Sequence, residues 1–425
     1  MEQAQSRPLR ILTFSTLYPN AAQPNHGVFV ENRLRHLLET GCVEASVIAP
    51  VPWFPSGHRF FGRYAAFAQA PRHEVRHGVA VQHPRYGVIP RFGMTLAPLS
   101  MYRAIRGTIR EMTSEGRGFD ILDAHYFYPD GVAAALLARE FKVPFTITAR
   151  GTDINLLPRY RIPRRMILWA ARRADALITV CEALKDELIA LGVSGEKIRT
   201  LRNGVDLKMF RPVPRQQARE RFALEGPVLL SVGALIPRKR HDLVIRALPL
   251  IENAMLLIAG DGPELAALRQ LVRELGVQNR VRFLGSVPHE QLAEIYTAAD
   301  VLVLASTREG WANVLLEAMA CGTPAIATNV WGAPEVIQGE AAGRLLDQAT
   351  PEELADAVRL LLADPPERAE TRRYAEAFGW DATSQGQLDL FAEILRKRGL
   401  RPTAAGAAAF GAAPEDWRLA RERAG

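Results

Sequence analysis

Two glutamates separated by seven residues mark the part of the chain best suited to chemistry. Glu309 and Glu317 lie in the segment from Ser306 to Pro324, STREGWANVLLEAMACGTP, which directly follows the apolar run DVLVLA. The apolar run predicts a buried strand, and the segment predicts a loop and then a helix beginning near Asn313, with Asn313 as its N-cap. Backbone amides of residues 313–315 would point out of the helix start and form a site for an anion such as phosphate.

The two carboxylates suit opposite ends of one elongated ligand. On a continuous helix they would be about 12 Å apart, too far to hold the same atom. A nucleotide diphosphate sugar has the matching layout, with a sugar at one end, a ribose at the other and the pyrophosphate between them. Alternatively, Glu317 merely faces solvent, but its neighbours Val314, Leu315 and Ala318 are apolar, and a buried carboxylate needs a partner.

The elements that must position these residues alternate between short apolar runs and longer segments with helical spacing. This pattern is typical of parallel strands joined by crossover helices, and ligands of such sheets bind at the carboxyl ends of the strands. In the first half we predict strands at Arg10 to Thr16, Ala45 to Ala49, Asp120 to His125, Pro144 to Ala149, Ala176 to Cys181 and Ile198 to Arg202. In the second half we predict strands at Val228 to Val232, Met255 to Ala259, Val281 to Leu284, Val301 to Ala305 and Ala325 to Thr328.

A change of composition between residues 205 and 226 indicates a linker between two α/β halves, because prolines and charges there interrupt the strand rhythm. We predict a first doubly wound domain over residues 1–208 and a second over 209–379. A helix over 380–400 is expected to return to the first domain, and a poorly ordered tail is expected over 401–425. The binding site should then lie in the cleft between the two Rossmann-like domains.

Composition excludes several classes of protein. The chain has 425 residues, of which 48% are hydrophobic and 23% charged. No apolar run approaches the roughly 18 to 20 residues that cross a bilayer. The three cysteines lie far apart, which predicts neither disulfides nor a zinc site. The apolar start of the chain lacks the length and cleavage site of a signal peptide, so a cytoplasmic location is expected.

Positive charge is concentrated in one stretch of a chain whose net charge is +7. Between His58 and Arg110 a single acid, Glu74, stands among many arginines, with aromatic residues at the start of the stretch. The arginines are Arg59, Arg63, Arg72, Arg76, Arg85, Arg91, Arg103, Arg106 and Arg110. Cations beside aromatics favour contact with an anionic membrane surface, the alternative being an ordinary solvated basic face. No nucleic-acid partner is predicted.

The acidic pair and its surroundings resemble a known family. Glu309-GWANVLL-Glu317, followed by AMACGTPAIAT and the turn from Gly332 to Glu335, is similar to the signature of the retaining GT-B glycosyltransferases of group 1 or family 4. The resemblance covers nearly the whole chain and implies the GT-B fold, with two Rossmann-like domains. It also implies that Glu317 binds the donor ribose, while Glu309 sits at the donor sugar near the reacting carbon.

Two further loops of the second half resemble the family's donor site. One runs from Gly260 to Pro263 and is similar to the family's glycine loop on the nucleotide side. GALIPRKR, from Gly233 to Arg240, is similar to the loop whose basic residues hold the donor diphosphate, which implies this role for Lys239. Ala234 replaces the family's arginine, so Arg238 or Arg240 is expected to supply the second cation; a solvated basic turn is the alternative. The implied donor-binding residues are Gly27, Gly233, Arg238, Lys239, Gly260, Gly262, Glu309, Gly310, Asn313, Val314, Leu315 and Glu317.

His125 in DAHYFYPDG resembles the family's histidine at the acceptor side. Because it follows the end of a predicted strand, we assign it a catalytic role together with Glu309 and Lys239; a structural histidine is the alternative.

Two other loops of the first half resemble the acceptor side. Arg150-Gly151-Thr152-Asp153 stands where the family often has His-Gly-x-Asp, and Arg150 is expected either to bind a phosphate or acidic acceptor or to pair with Asp153. Gly27, with His26 beside it, corresponds to the family's glycine loop after the first strand.

The resemblance implies transfer of a sugar from a nucleotide diphosphate sugar to a hydroxyl acceptor with retention of anomeric configuration. No Asp-x-Asp occurs, so we expect no catalytic metal and no cofactor beyond the nucleotide sugar. The opening STLYPN…HGVFVENR is similar to bacterial exopolysaccharide and teichuronic-acid-type transferases. This likeness implies a lipid-linked saccharide acceptor and a peripheral position on the inner membrane face.

Other functions remain open at this point. A nucleotide-sugar epimerase or a phosphorylase could share the fold, and a binding subunit could have lost catalysis. An NAD-dependent dehydrogenase is disfavoured, because no Gly-x-Gly-x-x-Gly follows a first strand in either half.

Overall fold

The computed structural model describes residues 7–58, 60, 63–88 and 93–400. Two sheets flanked by helices make up most of this part of the chain, and a two-stranded ladder accompanies them. The strands are β1 (Leu9–Phe14), β2 (Val43–Ile48), β3 (Val51–Pro52), β4 (His73–Arg76), β5 (Val79–Gln82), β6 (Arg85–Tyr86), β7 (Ile121–His125), β8 (Phe145–Ala149), β9 (Ala176–Thr179), β10 (Ile198–Thr200), β11 (Val228–Val232), β12 (Met255–Ala259), β13 (Val281–Gly285), β14 (Val301–Leu304), β15 (Ala325–Thr328) and β16 (Gly343–Leu346).

Helices connect most successive strands, as a parallel sheet requires. They are α1 (Val28–Glu39), α2 (Arg63–Gln69), α3 (Gly93–Ser114), α4 (Val132–Phe141), α5 (Thr152–Asn155), α6 (Arg161–Arg173), α7 (Glu182–Ala190), α8 (Arg215–Arg221), α9 (His241–Ala247), α10 (Leu265–Glu274), α11 (Leu292–Ala298), α12 (Asn313–Ala320), α13 (Ala333–Val336), α14 (Pro351–Ala363), α15 (Arg368–Glu376) and α16 (Asp381–Lys397). No helix within the described ranges is long and apolar enough to span a bilayer.

The first sheet has the strand order β10-β9-β8-β7-β1-β2-β5-β4, and all its pairs are parallel except β4 with β5. Strands β7, β8 and β9 are buried at every position, because helices cover both faces of the sheet. The strand order reverses between β1 and β7, which opens a crevice at their carboxyl ends.

The second sheet is entirely parallel, in the order β13-β12-β11-β14-β15-β16. This is the strand order of a dinucleotide-binding fold, and the order reverses between β11 and β14. The loops that follow these two strands contain Lys239 and Glu309. Topology therefore brings the two charged segments to one edge of the sheet.

After the second sheet the chain returns to the first. Leu388, Phe391 and Ile394 of α16 pack in one apolar cluster with Ile11 of β1 and Ile121 of β7. The outward and the return crossings of the chain lie side by side, since the amide of Val205 donates to the carbonyl of Phe378 at 2.9 Å.

Several sequence expectations differ from the structure. Strands β3 to β6 and β16 were not predicted; β4 alternates exposed and half-buried positions, so it lacks the continuous apolar run of a covered strand. The segment read as a linker contains α8 and the buried Phe210, so it packs as part of the fold.

Some predictions fall outside the described residues. They are the tail over 401–425, Arg59, Phe61 and Arg91, and the side chain of Arg63.

Candidate active site

A cavity of about 680 Å³ lies between the carboxyl ends of the two sheets. Its walls come from the start of α1 and the loops after β7 and β8 on one side, and from the loops after β11, β12, β13 and β14 on the other. This size is typical of a small-molecule site, and its place matches the crevice expected from both strand orders.

Many of the predicted site residues meet at this cavity, and others lie outside its lining. Those that line it are Gly233, Arg238, Lys239, Gly260, Glu309, Gly310, Asn313, Val314 and Glu317 from the second domain, and Arg150 from the first. Those that do not line it are His125, Gly27, Gly262, Leu315, His26 and Asp153.

Glu309 is buried at one end of the cavity with two cations. Its Oε1 accepts a hydrogen bond from Lys239 Nζ at 2.6 Å and lies 3.2 Å from the Nη1 of Arg238. Burial alone would raise the pKa of Glu309, but Lys239 and Arg238 outweigh burial and hold the pKa below its ordinary value. Arg240 instead pairs with Asp242, so Arg238 is the arginine of this loop that lies beside Lys239 at Glu309.

Glu317 has a different set of partners. Tyr296 on α11 donates its hydroxyl to Oε2 at 2.8 Å, and Nε2 of His289 lies 3.2 Å from Oε1. Burial lowers the pKa of His289, but the hydrogen bond and the charge of Glu317 give a net rise. Phe210 packs its ring edge against His289, with ring centroids 5.0 Å apart. The carboxylate is therefore held in one orientation at the cavity wall.

The start of α12 differs from the prediction. Ala312 occupies the N-cap and Asn313 is the first helical residue. The amide of Asn313 donates to the carbonyl of Trp311 at 3.1 Å, and that of Leu315 donates to Ala312 at 3.0 Å. Two of the three amides expected to be free are therefore used within the turn, because the chain before the helix folds back onto its start.

Close backbone contacts explain two glycines at the cavity. A Cβ atom at Gly260 would lie 1.9 Å from the carbonyl oxygen of Gly233, and the φ of Gly260 is +148°. A Cβ atom at Gly310 would lie 2.1 Å from the carbonyl oxygen of Arg150, on the opposite domain. No side chain fits at either position, so the two domains meet backbone to backbone beside Glu309.

His125 lies behind the cavity wall. It is 2% exposed, with Nε2 3.2 Å from Asp123 and Nδ1 against the guanidinium of Arg150. Burial, offset in part by Asp123, lowers the pKa of His125 to about 4, so the ring is neutral at pH 7. The predicted direct role in catalysis is not supported by this position, since Arg150 separates the ring from the cavity.

The predicted alternative of an ion pair between Arg150 and Asp153 is wrong. The carboxylate of Asp153 instead accepts backbone N–H groups of Phe127, Arg150 and Gly151, and it is fully buried. Asp153 therefore shapes the loop after β8 and does not face an acceptor.

The other residues outside the cavity support it indirectly. Gly27 caps α1 with a φ of +74°, and His26 beside it is hydrogen-bonded to the carbonyl of Thr16 at 3.1 Å. Gly262 packs against the backbone of Leu235, and the side chain of Leu315 is in the core.

Sequence reasoning missed three polar residues of the site. It assigned no role in the site to His289, Tyr296 or Asn203. Asn203 Nδ2 donates to Oδ1 of Asn313 at 3.3 Å across the domains. The position of His289 just after β13 was the one available signal, because side chains at the carboxyl ends of parallel strands face the ligand.

Within the described ranges no group of three or more His, Cys, Asp or Glu side chains is arranged to hold a metal ion.

Two family models match the chain in succession. The model described as Glycosyltransferase Family 4 matches residues 28–209, and the model described as Glycosyl transferases group 1 matches residues 213–378.

Relatives match over most of their length. D-inositol 3-phosphate glycosyltransferase 1 of Catenulispora acidiphila is 30% identical over 411 residues, covering 88% of this chain and 93% of the relative. The putative teichuronic acid biosynthesis glycosyltransferase TuaC of Bacillus subtilis is 27% identical over 357 residues, covering 82% and 88% of the two chains.

Solved structures share the fold. Sucrose-phosphate synthase from Thermosynechococcus elongatus superposes with a TM-score of 0.75 at 21% identity, covering 92% of this chain and all of that one. HepE from Anabaena, in complex with UDP-glucose, superposes with a TM-score of 0.69 at 20% identity and the same coverage.

Proposed function

Because the chain belongs to the group 1 glycosyltransferases of GT-B fold, we propose that it transfers a sugar from a nucleotide diphosphate sugar to a hydroxyl acceptor with retention of anomeric configuration. The observation that carries this proposal is that Glu309 and Glu317 face one cavity between the domains, each with its own partners. The sugar would lie at Glu309, the ribose at Glu317, and the diphosphate between them.

The cations suit the leaving group. Lys239 and Arg238 lie together beside Glu309. In the proposed pose they would meet the charge that develops on the diphosphate as the bond from the sugar carbon to the phosphate oxygen breaks. The acceptor oxygen would bond to the same face of that carbon and pass its proton to the departing phosphate. Water kept out of the cavity could not compete with the acceptor.

Substitution of the two glutamates tests the assignment. Glu317→Ala should weaken donor binding about tenfold or more, because a charge-assisted hydrogen bond to the ribose is lost. Glu309→Ala should chiefly lower kcat. Isothermal titration with donor and steady-state kinetics measure both, and Glu274→Ala, at an exposed position of α10, is the control. Unchanged binding and kinetics in both variants would refute the assignment.

Product analysis tests the reaction type. Retention predicts that the anomeric configuration of the donor appears in the product by NMR, and inversion would contradict it. An epimerase would convert the nucleotide sugar with no acceptor present.

We also propose that the reaction needs no divalent metal, because Lys239 and Arg238 can meet the charge of the diphosphate. Full activity after treatment with EDTA is the expected result. Loss of activity that Mg²⁺ or Mn²⁺ restores would contradict it.

The proposed acceptor is a lipid-linked saccharide of surface polysaccharide synthesis, as the name of the teichuronic acid relative favours. Helix α3 of the first domain adds a physical argument. Its exposed stripe carries leucines at one end and arginines at the other, spaced three or four residues apart: Leu96, Leu99, Arg103, Arg106 and Arg110. Such a stripe suits the surface of an anionic membrane, and we propose a peripheral position there, on the cytoplasmic face.

A further inference from the structure

Arg150 is a buried cation at the wall of the cavity. The residue follows β8, is 9% exposed and lines the cavity from the first domain, on the opposite side from Lys239 and Arg238. Cζ of Arg150 lies 5.4 Å from the ring centroid of Phe29, which lines the same wall of the cavity. Buried charges in proteins are normally paired with a charge of opposite sign.

Neither hydrogen-bond partner of this guanidinium is a carboxylate. Nη1 donates to Oδ1 of Asn203 at 3.1 Å, and Nη2 donates to Nδ1 of His125. Because a guanidinium can only donate, Nδ1 must accept, and the proton of the neutral ring lies on Nε2, which faces Asp123. Nε of Arg150 has no hydrogen-bond partner in the described part of the chain.

The nearby acids are engaged elsewhere. Asp123 accepts hydrogen bonds from Thr146 at 2.7 Å and from Gln387 at 2.9 Å, in addition to facing His125. Asp153 is held by backbone N–H groups. Neither carboxylate is hydrogen-bonded to the guanidinium of Arg150, although the charge of each acts on it.

A second buried guanidinium adds to the positive charge. Arg33, which is 1% exposed, donates to Gln387 at 2.8 Å and lies 3.5 Å from Oδ1 of Asn203. Burial, and then the charge of Arg33, hold the pKa of Arg150 well below its ordinary value, and the charges of Asp123 and Asp153 oppose this shift only in part. An anion from a substrate would complete this arrangement and oppose both effects.

We propose that Arg150 forms an anion subsite, which binds a carboxylate or phosphate group carried by the transferred sugar or by the acceptor. The inference rests on the proposed function and adds the substrate class: one substrate bears a negative charge besides the diphosphate. The backbone of Arg150 abuts Gly310, the residue after Glu309, so the subsite belongs to the same end of the cavity as the proposed sugar position. The diphosphate has its own cations, Lys239 and Arg238, across the cavity.

The test compares charged and neutral substrates in the full-length chain. A thermal-shift screen of UDP, GDP, ADP and dTDP first identifies the nucleotide. Binding of UDP-glucuronate is then compared with UDP-glucose, or GDP-mannuronate with GDP-mannose. In the acceptor arm, glucose 6-phosphate and glucuronate are compared with glucose in competition and transfer assays.

The wild type should prefer the charged member by about tenfold in one of the two arms, as a charge-assisted hydrogen bond requires. Arg150→Gln should remove this preference while the affinity for the free nucleoside diphosphate changes less than about twofold. Arg150→Lys, which keeps the charge but loses the planar fork, should retain part of the preference. Arg273→Gln, at an exposed position of α10, is the matched control.

Two outcomes would overturn the subsite. One is a wild type that shows no preference for charge in either arm. The other is a variant that loses affinity for the free nucleoside diphosphate as strongly as for the charged sugar, because Arg150 would then bind the diphosphate itself. If Arg150→Gln fails to fold, the proposal is still tested by the preference of the wild type for the charged substrate and by the partial loss of that preference in Arg150→Lys. A chain that binds no nucleoside diphosphate at all would instead contradict the proposed function.

Discussion

One carboxylate oxygen of Glu309 contacts two cations, so the positive charge at this end of the cavity is already paired. Lys239 Nζ and Arg238 Nη1 lie 2.6 and 3.2 Å from the same oxygen. In the proposed function a diphosphate would compete with Glu309 for both cations. These cations hold the pKa of Glu309 below its ordinary value, so the group is ionised at neutral pH. In the proposed function this negative charge would stabilise positive charge at the sugar carbon.

The buried neutral ring of His125 predicts a pH effect on stability. Its pKa is lowered to about 4 from 6.5, chiefly by burial. Between these two values the unfolded chain binds a proton that the folded chain excludes, so the free energy of unfolding should fall as the pH drops. The loss is at most about 1.4 kcal/mol per pH unit. His125→Asn should lack this contribution, as urea unfolding from pH 7 to pH 4.5 will show.

The difference between the two profiles reports the ring together with its effect on Asp123, whose pKa it lowers, because the other titrating groups are common to both proteins. His73→Asn, at an exposed position, is the control and should follow the wild type. Parallel profiles for wild type and His125→Asn would contradict the prediction.

At the scale of elements, the loop after β14 meets the loop after β8 without side chains between them. Gly310→Ala should push the loops apart, because the new Cβ would lie 2.1 Å from the carbonyl oxygen of Arg150. We expect a destabilisation of about 1 to 3 kcal/mol and a lower kcat, since Glu309 would move with its neighbour. Thermal melting and kinetics measure both effects. Gly339→Ala, where a Cβ meets no atom within 4 Å, should change neither.

The sequence predicted the strands that are buried on both faces and missed strands that are partly exposed. Strands β7, β8 and β11 are covered on both faces, so their residues form continuous apolar runs. Strands β4 and β5 are partly exposed, so they lack a continuous apolar run, and the sequence did not predict them.

The site was predictable where function depends on residue type and spacing within one segment, as for Glu309 and Glu317. It was not predictable where function depends on contacts between distant segments. Tyr296 donates to Glu317 from another helix, and Arg150 turns toward His125 and away from Asp153. Such contacts follow from the packing of whole elements, which local patterns do not specify.

At the scale of the whole molecule, the exposed stripe of α3 lies on the first domain, while the donor residues belong to the second. Leu96 is 52% exposed and Leu99 38% exposed, on the same face as Arg103 and Arg106. A membrane bound there would leave the donor domain facing the aqueous phase.

Sedimentation with vesicles of phosphatidylglycerol and phosphatidylcholine tests whether the exposed stripe of α3 makes the membrane contact. The double variant Leu96→Ser with Leu99→Ser, and likewise Arg103→Ser with Arg106→Ser, should reduce the bound fraction. Each removed arginine should cost about 1 kcal/mol near the surface. Arg273→Ser on the second domain should bind as the wild type does. Equal binding by all variants would place the contact elsewhere.

The chain passes between its two halves twice, and the passages are joined to each other. The amide of Val205 donates a hydrogen bond to the carbonyl of Phe378. A Cβ atom at Gly204 would lie 2.7 Å from the amide nitrogen of Trp380. Any swing of one half relative to the other must therefore bend both passages together, about a single line. Because the two connections are held together, any opening of the cavity would have to use them as one hinge, and its walls would separate without sliding past each other.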